Sequence, residues 1–71
     1  MSFVLSAHAE ERLLERGVTR RDIEYCMENY HISLEEAGGV NLYIATHPNG
    51  RRIQVVKDTE NNLIVSVVWL K

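Results

Sequence analysis

Thr19-Arg20-Arg21-Asp22-Ile23-Glu24-Tyr25-Cys26-Met27-Glu28-Asn29-Tyr30-His31-Ile32-Ser33-Leu34 contains the change of period that decides the fold. Thr19 is a good helix cap. Asp22 stands three places on, a variant of the capping box with Asp in place of Glu, and Val18 and Ile23 take the hydrophobic-staple positions. Ile23, Cys26, Met27 and Tyr30 then recur at helical spacing and give one apolar face. This helix ends near Asn29 to His31. From Ile32 the period falls to two, with Ile32 and Leu34 alternating with polar residues, as in a strand.

Upstream, Ser6-Ala7-His8-Ala9-Glu10-Glu11-Arg12-Leu13-Leu14-Glu15-Arg16-Gly17 reads as a first helix. Ser6 caps it, the acidic pair Glu10 and Glu11 comes early, and Gly17 ends it as a left-handed residue. Downstream, Gly38-Gly39 is a turn. Val40, Leu42 and Ile44 alternate with Asn41, Tyr43 and Ala45. Pro48-Asn49-Gly50 is a hairpin turn of type I with Gly50 left-handed. Arg51 to Lys57 is the next strand, Asp58 to Asn62 a polar turn. Leu63 to Leu70 is nearly continuous apolar, so it is buried on both faces or central. Two helices followed by strands indicate α+β: two N-terminal helices packed on an antiparallel sheet of three or four strands. One sheet face takes the helices, and the other is left partly open to solvent or a partner.

The 71 residues are read as one domain, 1–71, and a chain of this size buries only about 60 % of its unfolded surface. Its composition, 45 % hydrophobic and 25 % charged, is that of a globular domain rather than a disordered tail. The single cysteine, Cys26, excludes an internal disulfide and fits a reducing compartment. No apolar run approaches the length of a membrane span, and Met1-Ser2-Phe3-Val4-Leu5 has no basic region or long apolar core of a signal peptide, so a cytoplasmic location is expected. A domain this small gains from a partner, and a homodimer is one expectation. The net charge of −2 is unlike that of dedicated nucleic-acid binders, which are basic.

His8-Ala9-x-x-Arg12-x-x-x-Arg16-Gly17-Val18, with Asp22-Ile23 after it, resembles the opening of a small family catalogued as domain of unknown function 4258. Gly50, Val55-Val56 and Ile64-Val65-Ser66-Val67-Val68-Trp69 are similar to that family's closing strands. Its wider grouping with RelE-like toxins and barnase- and colicin-type ribonucleases implies a compact αα-β-meander and metal-free RNA cleavage. Position by position, His8, Arg12 and Ser66 match the family pattern, Ser66 standing where the family has a small hydroxyl residue. The resemblance also implies a cognate antitoxin over the basic site. Those toxins are basic and this chain is slightly acidic, a departure that bears on RNA binding.

Metal-free RNA cleavage needs a base for the 2′-hydroxyl, an acid for the leaving oxygen and cations for the phosphorane. His8 and Arg12 are four residues apart and share a helix face. A neutral His8 in the first helical turn would be the base, and Arg12 the phosphate clamp. Tyr43, His47, Lys57 and Ser66 are open candidates for the second proton transfer. The plainer reading is that His8 caps or packs against the sheet, and Arg12 pairs with Glu11, Glu15 or a strand carboxylate.

RNA would be held by Arg16, roughly 12 Å along the helix from His8, by Arg51 and Arg52 after the hairpin, by Lys57, and by Tyr43 if the register turns it to the side of Arg52. Arg20 and Arg21, in the first turn of the second helix, either frame a phosphate or form a solvated end neutralised by Asp22 and Glu24. His8, Cys26, His31 and His47 show no ligand spacing, so no metal or other cofactor is assigned. Trp69 is read as an anchor for the sheet. The competing function is a non-catalytic module of the same fold that binds a protein through its open sheet face or an edge strand.

Overall fold

The computed structural model describes residues 3–70; Met1, Ser2 and Lys71, at the two ends of the expected domain 1–71, lie outside the described residues. The chain runs β1 (Val4–Leu5), α1 (Ala7–Arg16), α2 (Arg20–Asn29), β2 (Ile32–Glu36), β3 (Val40–Thr46), β4 (Arg52–Asp58) and β5 (Leu63–Leu70). Both helices start where their caps predict. The Ser6 side chain accepts from the Ala9 amide, and Gly17 at φ 63° closes α1. Thr19 and Asp22 exchange side-chain-to-backbone bonds in a complete capping box. Val18 and Ile23 are both buried.

The strands form one sheet in the order β1-β5-β4-β3-β2. This corrects the expected three- to four-stranded antiparallel sheet. β2 to β5 make an antiparallel meander, but β1 adds a fifth strand parallel to β5, with Val4 opposite Leu63 and Leu5 opposite Ile64. Two residues carry no period, so β1 leaves no pattern to read. It flanks β5 only at Leu63 and Ile64, and the expectation that β5 is buried on both faces or central is corrected: only Ile64 and Val67, on its helix side, are buried, and the rest of its outer edge has no strand beside it. The β3–β4 turn is tight: the Gly50 amide donates to the His47 carbonyl, and Gly50 takes φ 87°. A β-bulge at Val65 shifts the register between Val56 and Lys57.

Paired residues project to the same side of a sheet, so the register assigns every strand side chain to a face. Tyr43, Ala45, Ile53, Val55, Ile64 and Val67 face the helices and are buried. They meet Ala9 of α1 and Ile23, Cys26 and Met27 of α2, with Phe3 and Val18 closing the ends of one shared core. The opposite face has no helix over it. Its centre is Leu42, Ile44, Val56 and Val68, none of them buried, and Val4 and Leu34 at its two edges are 59 % and 51 % exposed.

Burial pushes the Cys26 thiol up to about 11, and its sulfur lies 3.7 Å from the Tyr43 carbonyl oxygen. A thiol sealed in this way stays protonated and inert. Iodoacetamide is therefore expected to leave native protein unlabelled and to label it fully in denaturant, as mass spectrometry will read; rapid labelling of the native chain would contradict this core.

Candidate functional site

His8, Arg12 and Ser66, the three residues that match the family pattern, do not converge on one site. His8 and Arg12 do lie on one flank of α1, and His8 is exposed. Arg12 is engaged along its own helix, its guanidinium bonded to Glu15. Ser66 pairs with Val56 and projects from the helix-free face, with the whole sheet between it and α1. A hydroxyl on one side of a sheet cannot pass a proton to a phosphate bound on the other. Among the described residues no pocket opens at His8 or elsewhere, and no three His, Cys, Asp or Glu side chains converge as metal ligands do.

The suggested RNA-binding residues divide in the same way. Tyr43 and Val55 are opposite each other on the helix side, whereas Arg52 pairs with Thr46 on the open side, so the register separates Tyr43 from Arg52. Tyr43 is buried beside Tyr30, ring centroids 4.8 Å apart. Lys57 is opposite Asn41 and Ile64, on the helix side and at the far end of β4. Arg20 belongs to the scaffold: it donates to the Phe3 carbonyl at 2.9 Å, lies over the Phe3 ring and stands 3.9 Å from Glu24. These contacts occupy Arg20 on its own scaffold rather than leaving it to frame a phosphate with Arg21.

Arg16 and Arg51 are each engaged on β5, at Val67 and at Trp69. The Arg16 guanidinium donates to the Val67 carbonyl at 2.8 Å, and that of Arg51 lies 4.7 Å above the Trp69 ring. The Trp69 indole N–H is directed at the Gly17 carbonyl, 3.4 Å away, tying the end of α1 to β5. The expected anchor role of Trp69 thus has a definite partner. His47 packs edge-on against Trp69 at 5.4 Å and beside Tyr25 at 5.2 Å.

His47 forms a pair that the sequence reading missed. Its Nε2 lies 2.8 Å from Oδ1 of Asp22, and its Nδ1 accepts the Asn49 amide at 3.2 Å. An accepting Nδ1 carries no proton, so the hydrogen sits on Nε2 and points at the carboxylate. Both ring nitrogens are occupied, which makes His47 a clasp between the start of α2 and the β3–β4 hairpin rather than a free base. The two residues are 25 positions apart, and no local spacing links them.

Partial burial pushes the Asp22 carboxyl up. The Thr19 amide and hydroxyl and the His47 imidazole together outweigh it and hold Asp22 below its ordinary value. A depressed carboxyl contributes stability above its unfolded value, about 3.9, and loses it as pH falls through the folded value. Asp22→Ala is expected to cost about 1 kcal/mol at neutral pH, the size of a lost cap. The gap to wild type should close below about pH 4 in urea unfolding; a gap independent of pH would show that the carboxylate is not the stabilising group.

One family model, described as Domain of unknown function (DUF4258), matches residues 5–69. No curated protein and no solved structure matches the chain.

Proposed function

We propose that this chain, which belongs to the family described as Domain of unknown function (DUF4258), is a non-catalytic protein-interaction module. Its working surface is the helix-free face of the sheet. One observation carries this reading: a five-stranded sheet whose uncovered face is centred on Leu42, Ile44, Val56 and Val68. Contiguous apolar surface of this kind marks interaction sites in soluble domains. The separation of Ser66 from His8 supports the same reading, because it removes a part that a phosphodiester site would use. The chain's slight net negative charge points the same way.

A second reading keeps the RelE-like kinship and makes the protein a toxin-type, metal-independent ribonuclease opposed by an antitoxin. What favours it is that His8 is exposed on the same flank as Arg12, open to a large substrate without a pocket. In that case His8 would take the 2′-hydroxyl proton and Arg12, released from Glu15, would clamp the phosphate.

Induced expression of the wild type beside His8→Ala and Arg12→Ala separates the two. Equal growth and intact total RNA in all three are expected. Growth arrest with RNA cut by the wild type alone would overturn the interaction reading. A photo-crosslinking residue in place of Val68 is expected to give protein adducts, and one in place of the exposed Glu11 of α1 none; RNA adducts at the Glu11 position would count for the nuclease.

A further inference from the structure

The helix-free face carries its charges in an order that the strand register fixes. Reading across the sheet, one end row holds Thr46, Arg52 and Leu70. The next two rows are Ile32, Ile44, Gln54 and Val68, then Leu34, Leu42, Val56 and Ser66. The last row holds Glu36, Val40, Asp58, Leu63 and Val4. The face is therefore basic at one end, acidic at the other and apolar between. Arg52 and Asp58 both lie on β4, six residues or about 20 Å apart along the strand. β4 is the middle strand of the five.

Such a face is complementary to itself in one orientation. A two-fold axis lying in the plane between two stacked sheets and running across their strands keeps β4 over β4 and reverses its direction. Arg52 of each copy then lies over the acidic end of the other, and the two apolar middle rows meet. An axis running along the strands would instead set Arg52 against Arg52 and Asp58 against Asp58. We propose that the helix-free face is an interface between two copies of this chain, stacked with strands antiparallel so that Arg52 of each meets the partner's Asp58. This rests on the interaction reading above and names its partner.

The size of the face suits that occupant. β2 to β5, five to eight residues long and about 4.8 Å apart, span about 15 by 20 Å, and the two-residue β1 adds one corner. The relief of the face adds accessible area to that projection, so two faces together remove on the order of 1,000 Å² from water, where specific interfaces begin. Aligned sheet packing of this type builds the inside of a β-sandwich. Asp58 is ready for the role. The Asn61 side-chain amide, against slight desolvation and with the Asn61 and Glu60 backbone amides, holds its carboxyl below the ordinary range, so it is ionised at neutral pH. A carboxylate has about four acceptor sites, which leaves room for a guanidinium beside these bonds.

Light scattering and sedimentation of the full chain test the proposal. The wild type is expected at twice its 8.2 kDa mass. Val56→Glu, in the middle of the apolar rows, should weaken the dimer at least about a hundredfold, and Arg52→Glu about tenfold, by setting like charges face to face. His8→Ala should leave it intact. Asp58→Arg should also weaken it, and an equimolar mixture of Arg52→Glu and Asp58→Arg copies should associate again, because each then offers the charge the other lacks. Circular dichroism and the shielded Cys26 thiol report that each variant is folded. A monomeric wild type overturns the proposal, as does a dimer indifferent to Val56→Glu, or a mixture that fails to associate when both variants are folded. Among monomers, an apolar dye bound by the wild type and not by folded Val56→Glu leaves the interaction reading standing with another partner; His8-dependent RNA cleavage brings that reading down too.

Discussion

Two ten-residue helices cannot cover both sides of a five-stranded sheet, and this constraint governs the rest of the molecule. α1 and α2 lie side by side on one face, where Ala9, Ile23, Cys26 and Met27 meet Ala45, Ile53, Val55, Ile64 and Val67. That side is sealed at its core and fastened at three points. Trp69 binds the end of α1, His47 binds the start of α2, and Arg20 binds the carbonyl of Phe3. The other side is mostly apolar in its middle rows, charged at its two ends, and has no second layer. A protein whose strands were meant to face water would alternate more strictly than β5 does.

Magnitudes divide the work between the two kinds of group on that face. Withdrawing a Leu, Ile or Val side chain from water is worth about 1.5–3 kcal/mol when burial is complete. An exposed ion pair contributes about 0–1 kcal/mol. The middle rows therefore supply affinity, and Arg52 and Asp58 choose the orientation in which the rows meet. On the helix side, cation and ring contacts such as Arg51 over Trp69 fasten local elements to each other, which takes those arginines out of a freely available phosphate-binding set.

Much of the fold was legible because its signals are local. Ser6, Gly17, Thr19 and Asp22 mark helix ends by the hydrogen bonds their own side chains or left-handed backbone allow, and Gly50 marks the hairpin for the same reason. The open face was legible too, since two helices precede the strands and only one side can receive them. What escaped is what depends on pairing. β1 has two residues, too few for a period. The face of Ser66 and the separation of Tyr43 from Arg52 follow from register, in which a slip of one residue reverses every side chain. The Asp22–His47 clasp joins a helix start to a hairpin 25 positions away, and each residue alone looked like something else: Asp22 a cap, His47 a candidate for proton transfer.

The helix-free face is proposed as the internal surface of a two-chain sandwich. The most direct measurement is isotope-filtered nuclear Overhauser spectroscopy on a mixture of labelled and unlabelled copies. Cross-chain contacts among the methyl groups of Leu42, Ile44, Val56 and Val68, with none to the core methyls of Ile23 or Val67, are the predicted result. An absence of cross-chain contacts at those four residues, or contacts confined to the β2 edge at Leu34, would contradict it.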